Sequence, residues 1–476
     1  MKKYFLNIEK MEKAVKDGDG FDWVLVVSSD KTQADFWQKR LNKFKNKIIG
    51  KNAKVISQYE DWQGGAGQLF GTLNAFQKAN QKGLLEKAME KGESVAIYHT
   101  AGKGKRIAPL TFSEGGNKPA IKLPRILEKN ELLTILETVI FQTQIFAKSR
   151  AGRLCVFWGD QIVIPSEDFD FDGEAQVEIF GIRRNIPSEQ KVWDKEWRHY
   201  GILAMDGKME VAQREKISWE EFQGIKNTLK IEKLSKSLGF FSISLSFLQA
   251  LLEEFKNELK NKNKKLDTDF HLWMPLTSSR KEFLKSGGDE VHWERINDFK
   301  ERFLNQEKKS LALIRDKNLG EKAFWWDFGQ VAFYRKNLLK ILKKSIEGKI
   351  MRRFFGLQAG TKSLFLNSEV GGRIKNSIII NSRAKNLRVE KAIIINSDIG
   401  KLNGKNILVY NLKDSGKLKF DYGKVVCDVL IKNKERVRMQ TKFNRDGKED
   451  WEKKVLNNPY SYKDLESYYD EQKGLN

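Results

Sequence analysis

The residues best able to do chemistry lie between Ser94 and Pro124, in the stretch SVAIYHTAGKGKRIAPLTFSEGGNKPAIKLP. Ser94 to Tyr98 is uncharged and mostly apolar, which predicts a buried strand. The strand runs into a loop, His99-Thr100-Ala101-Gly102-Lys103-Gly104-Lys105-Arg106, with two glycines set among three cations. Glycines let the backbone approach a ligand closely. Backbone N–H groups with Lys and Arg supply the hydrogen bonds and the compensating charge that a polyphosphate needs. Ala101, Gly102, Lys103, Gly104 and Lys105 are therefore candidate nucleotide contacts. Lys105 is followed by Arg106 rather than Ser or Thr, so this is not a Walker A loop. Taken alone, such a loop is equally an ordinary surface loop.

The residues after the loop add weight. Pro109-Leu110-Thr111 comes at once, and Asn117-Lys118-Pro119-Ala120 shortly after. The whole stretch resembles the signature of the sugar-1-phosphate nucleotidyltransferases: Gly-x-Gly-x-Arg, Pro-Leu-Thr, then Lys-Pro. The resemblance implies that the loop holds a nucleoside triphosphate. Arg106 and Lys118 would then be the catalytic cations, balancing charge as pyrophosphate leaves.

These residues need a frame to hold them. Trp23 to Ser29 reads as a buried strand ending at Asp30, residues 31–46 as an amphipathic helix, and Lys54 to Ser57 as a second strand. This alternation predicts an α/β domain with a mainly parallel sheet. Gly64-Gly65-Ala66-Gly67 then opens a helix from Phe70 to Ala79. Glycines at a helix N-terminus allow an anion or nucleotide contact, although a plain glycine-rich helix entry reads the same way. A Gly-Gly-Ala-Gly segment placed before the signature loop resembles the guanylyltransferase part of the L-fucose-1-phosphate (GDP-fucose) pyrophosphorylases. That would make the base guanine, with a uridylyltransferase as the other option.

A helix is expected over Leu132 to Phe146, followed by an apolar strand, Leu154 to Trp158, that runs into Gly159-Asp160. An acid at the C-terminal end of a parallel strand sits where α/β sheets bind ligands, though turn-forming Asp is common there too. The resemblance makes Asp160 the first Mg²⁺ ligand. Asp327, in Trp325-Trp326-Asp327-Phe328-Gly329-Gln330, becomes the second, with Gln330 where the family has Thr. It also assigns Tyr200, Gly201, Glu215, Lys216 and Gly239 to the sugar phosphate. Ile217 replaces the family's usual Pro there, and Glu232-Lys233 is a rival pair. Asp267-Thr268-Asp269 reads as an acidic turn into a helix.

Further on, Ile378-Ile379-Ile380-Asn381 recurs at Ile393 and again, as Leu408-Val409-Tyr410-Asn411, at a fixed step of fifteen residues. Short β runs with a recurring Asn predict a parallel β-helix, or solenoid, with a ladder of amides at 381, 396 and 411. The expected organisation is a Rossmann-like (GT-A-like) nucleotidyltransferase domain over 1–345 and a β-helix over 346–435. A polar tail, helical or partly disordered, completes it over 436–476. Removing 356–476 is expected to spare the active-site motifs, and the β-helix is a candidate surface for homo-oligomers.

Composition bounds the rest. The 476 residues are 40% hydrophobic, carry a formal charge of +24 and contain two cysteines. Both cysteines, Cys155 and Cys427, sit in apolar runs and read as buried thiols of a reducing, cytoplasmic protein. No long apolar run predicts membrane insertion. The charge fits anionic substrates, and the lysines are scattered without a nucleic-acid-binding signature. The rival readings are the same fold acting on a non-sugar alcohol phosphate, a non-catalytic homologue, or a basic nucleic-acid-binding protein.

Overall fold

The computed structural model describes residues 1–168, 175–208, 210–307, 312–358, 362–431 and 435–472. The fold is mixed α/β. Its largest sheet runs in the order Val211–Glu215, Gly201–Met205, Lys233–Ser244, Arg153–Trp158, Val95–His99, Trp23–Ser28, Lys54–Tyr59. The last four of these are mutually parallel. Lys233–Ser244 pairs antiparallel with Arg153–Trp158 and also with Ala175–Arg184.

Alternation within one strand explains the two faces. Val24 and Val26 share a core with Trp37 and Leu41 of the helix Lys31–Lys43. Trp23, Leu25 and Val27 share another with Leu69, Leu73 and Phe76 of the helix Gly67–Ala79. A strand covered on both sides reads as an unbroken apolar run. Asp30 caps the first helix, accepting from the Gln33 N–H at 2.9 Å.

The helix expected over Leu132 to Phe146 is shorter, Ile135–Thr143, and a strand, Glu131–Thr134, precedes it. Thr134 is extended and forms a capping box with Glu137, so the helix cannot begin earlier. Cys155 and Cys427 are free and buried, as expected.

From Leu364 the chain alternates between two further sheets. One holds Leu364–Leu366, Ile378–Ile380, Ile393–Ile395, Leu408–Tyr410, Lys424–Leu430 and Arg436–Lys442, with only the last strand antiparallel. The other holds Glu369–Lys375, Arg383–Glu390, Asp398–Lys405 and Lys413–Phe420, all parallel. Ile378 pairs with Ile393 and Ile393 with Leu408, so the sequence repeat is the pairing register. The asparagines take left-handed φ of 47°, 52° and 50° at 381, 396 and 411. Asn381 Nδ2 donates to Asn396 Oδ1 at 2.6 Å, but Asn411 leaves the ladder and donates to Ser113 O at 3.1 Å.

This C-terminal region is not an appendage. Ile378, Ile393, Leu408 and Tyr410 belong to the same hydrophobic core as Ile107, Phe112 and Tyr334. The expected polar tail is also folded: Arg436–Lys442 is a strand and Tyr462–Gln472 a helix. Its last four residues lie outside the described residues. Phe112 packs among Trp451, Tyr462 and Tyr469, with ring centroids 5.6, 6.0 and 6.2 Å away. Aromatic side chains that looked like tail composition are thus core. Removing 356–476 would unpack the Phe112 segment rather than spare it, so the expectation that the motifs survive truncation is corrected. Trp451→Ala is expected to cost about 3–5 kcal/mol. Equilibrium denaturant unfolding measures it, and a loss below about 1 kcal/mol would show the contact to be peripheral.

Candidate functional site

The C-terminal ends of the four parallel strands open on one cleft of about 1030 Å³. Ser29, Glu60, His99 and Asp160, each just at or past a strand end, line it together. This edge is where open α/β sheets bind ligands.

Most of the site residues expected from sequence meet there. Gly64, Gly65, Gly67, Ala101, Gly102, Lys103, Arg106, Lys118, Asp160, Tyr200, Gly201, Glu215, Lys216, Gly239 and Asp327 all line the cleft. The rival pair Glu232-Lys233 does not.

Three expected nucleotide contacts fall away. Ala66 is fully buried and donates its N–H to Glu60 Oε1 at 2.9 Å. Gly104 lies under the loop with φ +60°, where an added Cβ would stand 2.8 Å from Thr111 Oγ1 and 2.9 Å from Lys118 Cβ. Its role is to let the loop close on Lys118. Lys105 turns out of the cleft, its Nζ 4.5 Å from the ring centroid of Trp451.

Lys103 keeps its place at the cleft but pairs with Glu466 at 2.7 Å. The helix entry at Gly67 is also taken: Gln68 N–H donates to Asp267 Oδ1 at 3.0 Å. Asp267, not a ligand, satisfies this part of the helix N-terminus.

The two acids are brought together by two neighbouring strands. Asp327 ends the strand Phe324–Asp327 and pairs in register with Gln161, the residue after Asp160. Phe328 N–H donates to Asp160 O at 3.0 Å, tying the two acids together. A Cβ on Gly329 would lie 3.0 Å from both Asp160 Oδ2 and Asp327 Oδ1, and 3.9 Å from Arg106 Nη2. Only glycine leaves that space open. Lys118 Nζ donates to Asp160 Oδ2 at 2.5 Å. Burial, then the neighbouring Asp160 charge, holds the Asp327 carboxyl above its usual range, against the Gly329 N–H, Lys118 and Arg106.

Two carboxylates held together against their repulsion fit one hard divalent cation. Mg²⁺ is usually bound by one or two carboxylates, with substrate phosphates and water completing its shell. Among the described residues no group of three or more His, Cys, Asp or Glu is arranged to hold a metal. The pair would need a phosphate to complete the site.

At the other end, Tyr200 lies with its ring 5.0 Å from that of Trp325, and Lys216 pairs with Glu215 at 2.6 Å. Lys216 has φ +51°, a left-handed backbone that a non-glycine residue keeps only when its surroundings hold it. Gly239 has its expected place for a different reason. A Cβ there would meet Trp158 Nε1 at 2.2 Å, so the glycine makes room for the indole that lines the cleft.

Sequence reasoning missed several lining residues, among them Glu60, His99, Trp158, Lys265 and Asp269. His99 bonds Thr72 Oγ1 through Nε2 at 2.8 Å, and burial pushes it down to about 4, so it is neutral at physiological pH. Asp269 was visible only as one acid of a turn. Burial first, then the charge of Glu215, raises it to about 8, with Lys216 opposing.

That shift ties stability to pH. The folded chain keeps the Asp269 proton between its ordinary 3.8 and about 8, while the unfolded chain has lost it. This stabilising difference is full at low pH and is lost as pH rises through that window. The stability of the wild type relative to Asp269→Asn is therefore expected to fall between about pH 4 and about pH 8. Denaturant unfolding of both proteins across that range measures it, and a pH-independent difference would contradict the assignment.

Among the described residues no helix is long and apolar enough to cross a membrane. No protein-family model matches the chain. No curated protein matches it either, so the reading of this cleft stands on its geometry and on the sequence motifs that line it.

Proposed function

We propose that the chain transfers a nucleotidyl group from a nucleoside triphosphate to a sugar-1-phosphate, giving an NDP-sugar and pyrophosphate. The nucleotidyltransferase signature and the Rossmann-like reading of the α/β sheet belong to this proposal, as does a parallel β-solenoid for the two alternating sheets. The observation that carries it is one convergence. A glycine loop with Arg106, Lys118 and the Asp160–Asp327 pair all meet at the C-terminal ends of parallel strands.

The reaction needs no general base, since the sugar phosphate is already an anionic nucleophile. Its oxygen attacks the α-phosphorus, the bond to the bridging oxygen of the β-phosphate breaks, and pyrophosphate departs. Catalysis is then positioning and charge neutralisation. Gly102 leaves the loop open for the phosphates, since nothing lies within 4 Å of where its Cβ would stand. Arg106 and Lys118, both beside the acid pair, face the triphosphate together. Lys118 must share its ammonium between Asp160 and the incoming phosphates. Lys216, with Tyr200 and Glu215, receives the sugar phosphate.

Asp160 and Asp327 would hold Mg²⁺. When bound, the ion would neutralise phosphate charge and so offset the mutual repulsion of the two anionic substrates. Both acids belong to this chain's own framework, and each constrains the other through the Phe328 N–H and the Asp327–Gln161 pairing.

The experiment is a pyrophosphate-release screen. Four NTPs are set against a panel of sugar-1-phosphates, with and without Mg²⁺. One pair is expected to turn over, and only with the metal present. Silence across the panel from a folded protein would overturn the proposal. Release with an alcohol phosphate that is not a sugar would move it to that substrate class.

A further inference from the structure

The two C-terminal sheets have opposite fates. The sheet containing Ile378–Ile380 is buried against the rest of the molecule. The four-stranded sheet turns its inner residues, Leu387 and Leu402 among them, into a core shared with Ile379, Ile394 and Val409 of the first sheet, and leaves its outer residues exposed. That outer face is strongly basic. Residues 369–419 contain eleven Lys or Arg against four Asp or Glu, a net +7 out of the chain's +24 in about a tenth of its length.

Register turns this composition into an array. Arg373 pairs with Arg388, Arg388 with Asn403, and Asn403 with Lys419. Two residues along, on the same side of the sheet, Asn386 pairs with Lys401 and Lys401 with Lys417. Neighbouring strands stand about 4.8 Å apart, so the cations form close parallel rows. Like charges at that spacing repel, and the nearby acids do little for them. Glu390 is taken by Lys405 at 3.0 Å, and Asp414 by Arg438 at 2.7 Å. Among the described residues none of Arg373, Arg388, Lys401, Lys417 and Lys419 has an ion-pair partner.

We propose that this face is a peripheral docking surface for an anionic lipid bilayer. Charge complementarity selects an anionic partner, and the array selects a broad one. An in-register parallel sheet presents its rows side by side, so an extended surface can meet them together. A nucleic-acid duplex is a cylinder and would engage only some of the rows. Among the described residues these two rows hold no aromatic side chain on which the bases of a single strand could stack. Clusters of Lys and Arg of this size bind anionic headgroups without insertion, each cation adding to affinity within a Debye length of the surface.

Vesicle co-sedimentation of the full chain tests it. Phosphatidylcholine vesicles with phosphatidylglycerol are expected to bind, and vesicles without it are not. Added salt should reverse the binding. The triple variant Arg388→Gln, Lys401→Gln, Lys417→Gln is expected to bind about 10²-fold more weakly. A control, Lys13→Gln, Lys148→Gln, Lys256→Gln, removes the same charge from exposed positions elsewhere and should bind almost as the wild type does. The thermal midpoint reads out folding. The single variant Lys401→Gln, expected to be about fivefold weaker, carries the same test if the triple variant folds poorly. Equal losses in the two triple variants, binding independent of phosphatidylglycerol, or tighter binding to duplex DNA than to the vesicles would each overturn the proposal.

Discussion

Arg106→Ala is expected to lower kcat and kcat/KM together by about 10²–10³-fold, or about 2.7–4 kcal/mol, the loss seen when one preorganised donor is removed. Arg106 lines the cleft beside the space that Gly329 keeps open, facing the Asp160–Asp327 pair. In the proposed reaction its contact strengthens as charge moves onto the leaving pyrophosphate, so its loss falls on the transition state. The two neighbouring cations predict different results. Lys105 rests on the Trp451 ring, and Lys105→Ala should leave kcat nearly unchanged. Lys103 must give up Glu466 to reach a phosphate, so Lys103→Ala should raise the KM for the triphosphate in a salt-sensitive way. Steady-state kinetics on the three variants separates these outcomes. A larger kcat loss at Lys105 than at Arg106 would show the loop to be in another register.

Asp327→Asn should remove most turnover, by at least about 10²-fold, if several kcal/mol of charge stabilisation pass through the metal it would hold. The same substitution should leave stability equal or raised. Burial and the Asp160 charge already disfavour the Asp327 carboxylate, so a neutral amide relieves both. The effect again depends on pH. A carboxyl raised in the folded state contributes stability at low pH that is lost as pH rises through its folded value. The stability gain of Asp327→Asn should therefore be larger at neutral pH than under acid conditions. Kinetics with thermal unfolding at two pH values checks both halves, and near-normal turnover in the folded variant would sink the assignment.

The parts legible in the sequence were those fixed by short-range pattern. An uncharged run such as Trp23–Ser28, six residues long and rich in valine, reads as a strand covered on both faces. Asp160 was marked by its position after such a strand, Asp327 only by the family resemblance of its Trp-x-Asp-x-Gly segment, and the fifteen-residue repeat stated its own register. What stayed hidden depends on contacts between distant segments. Nothing near Lys105 announces Trp451, and nothing near Gly67 announces that Asp267 caps its helix. The aromatics of 436–472 read as polar tail because their partner, Phe112, lies more than three hundred residues away. Asp269 could be placed among acids, but its burial beside Glu215 could not be read from a turn.

The central claim is attack at the α-phosphorus, and one measurement addresses it most directly. The purified chain is incubated with Mg²⁺, a sugar-1-phosphate and a nucleoside triphosphate labelled at the α-phosphorus, and the labelled products are separated. The account predicts that the label moves into an NDP-sugar in step with unlabelled pyrophosphate, and that Asp327→Asn abolishes the transfer. Label appearing in a nucleoside diphosphate alone, with release of inorganic phosphate, would place the chemistry at the γ-phosphorus and contradict it.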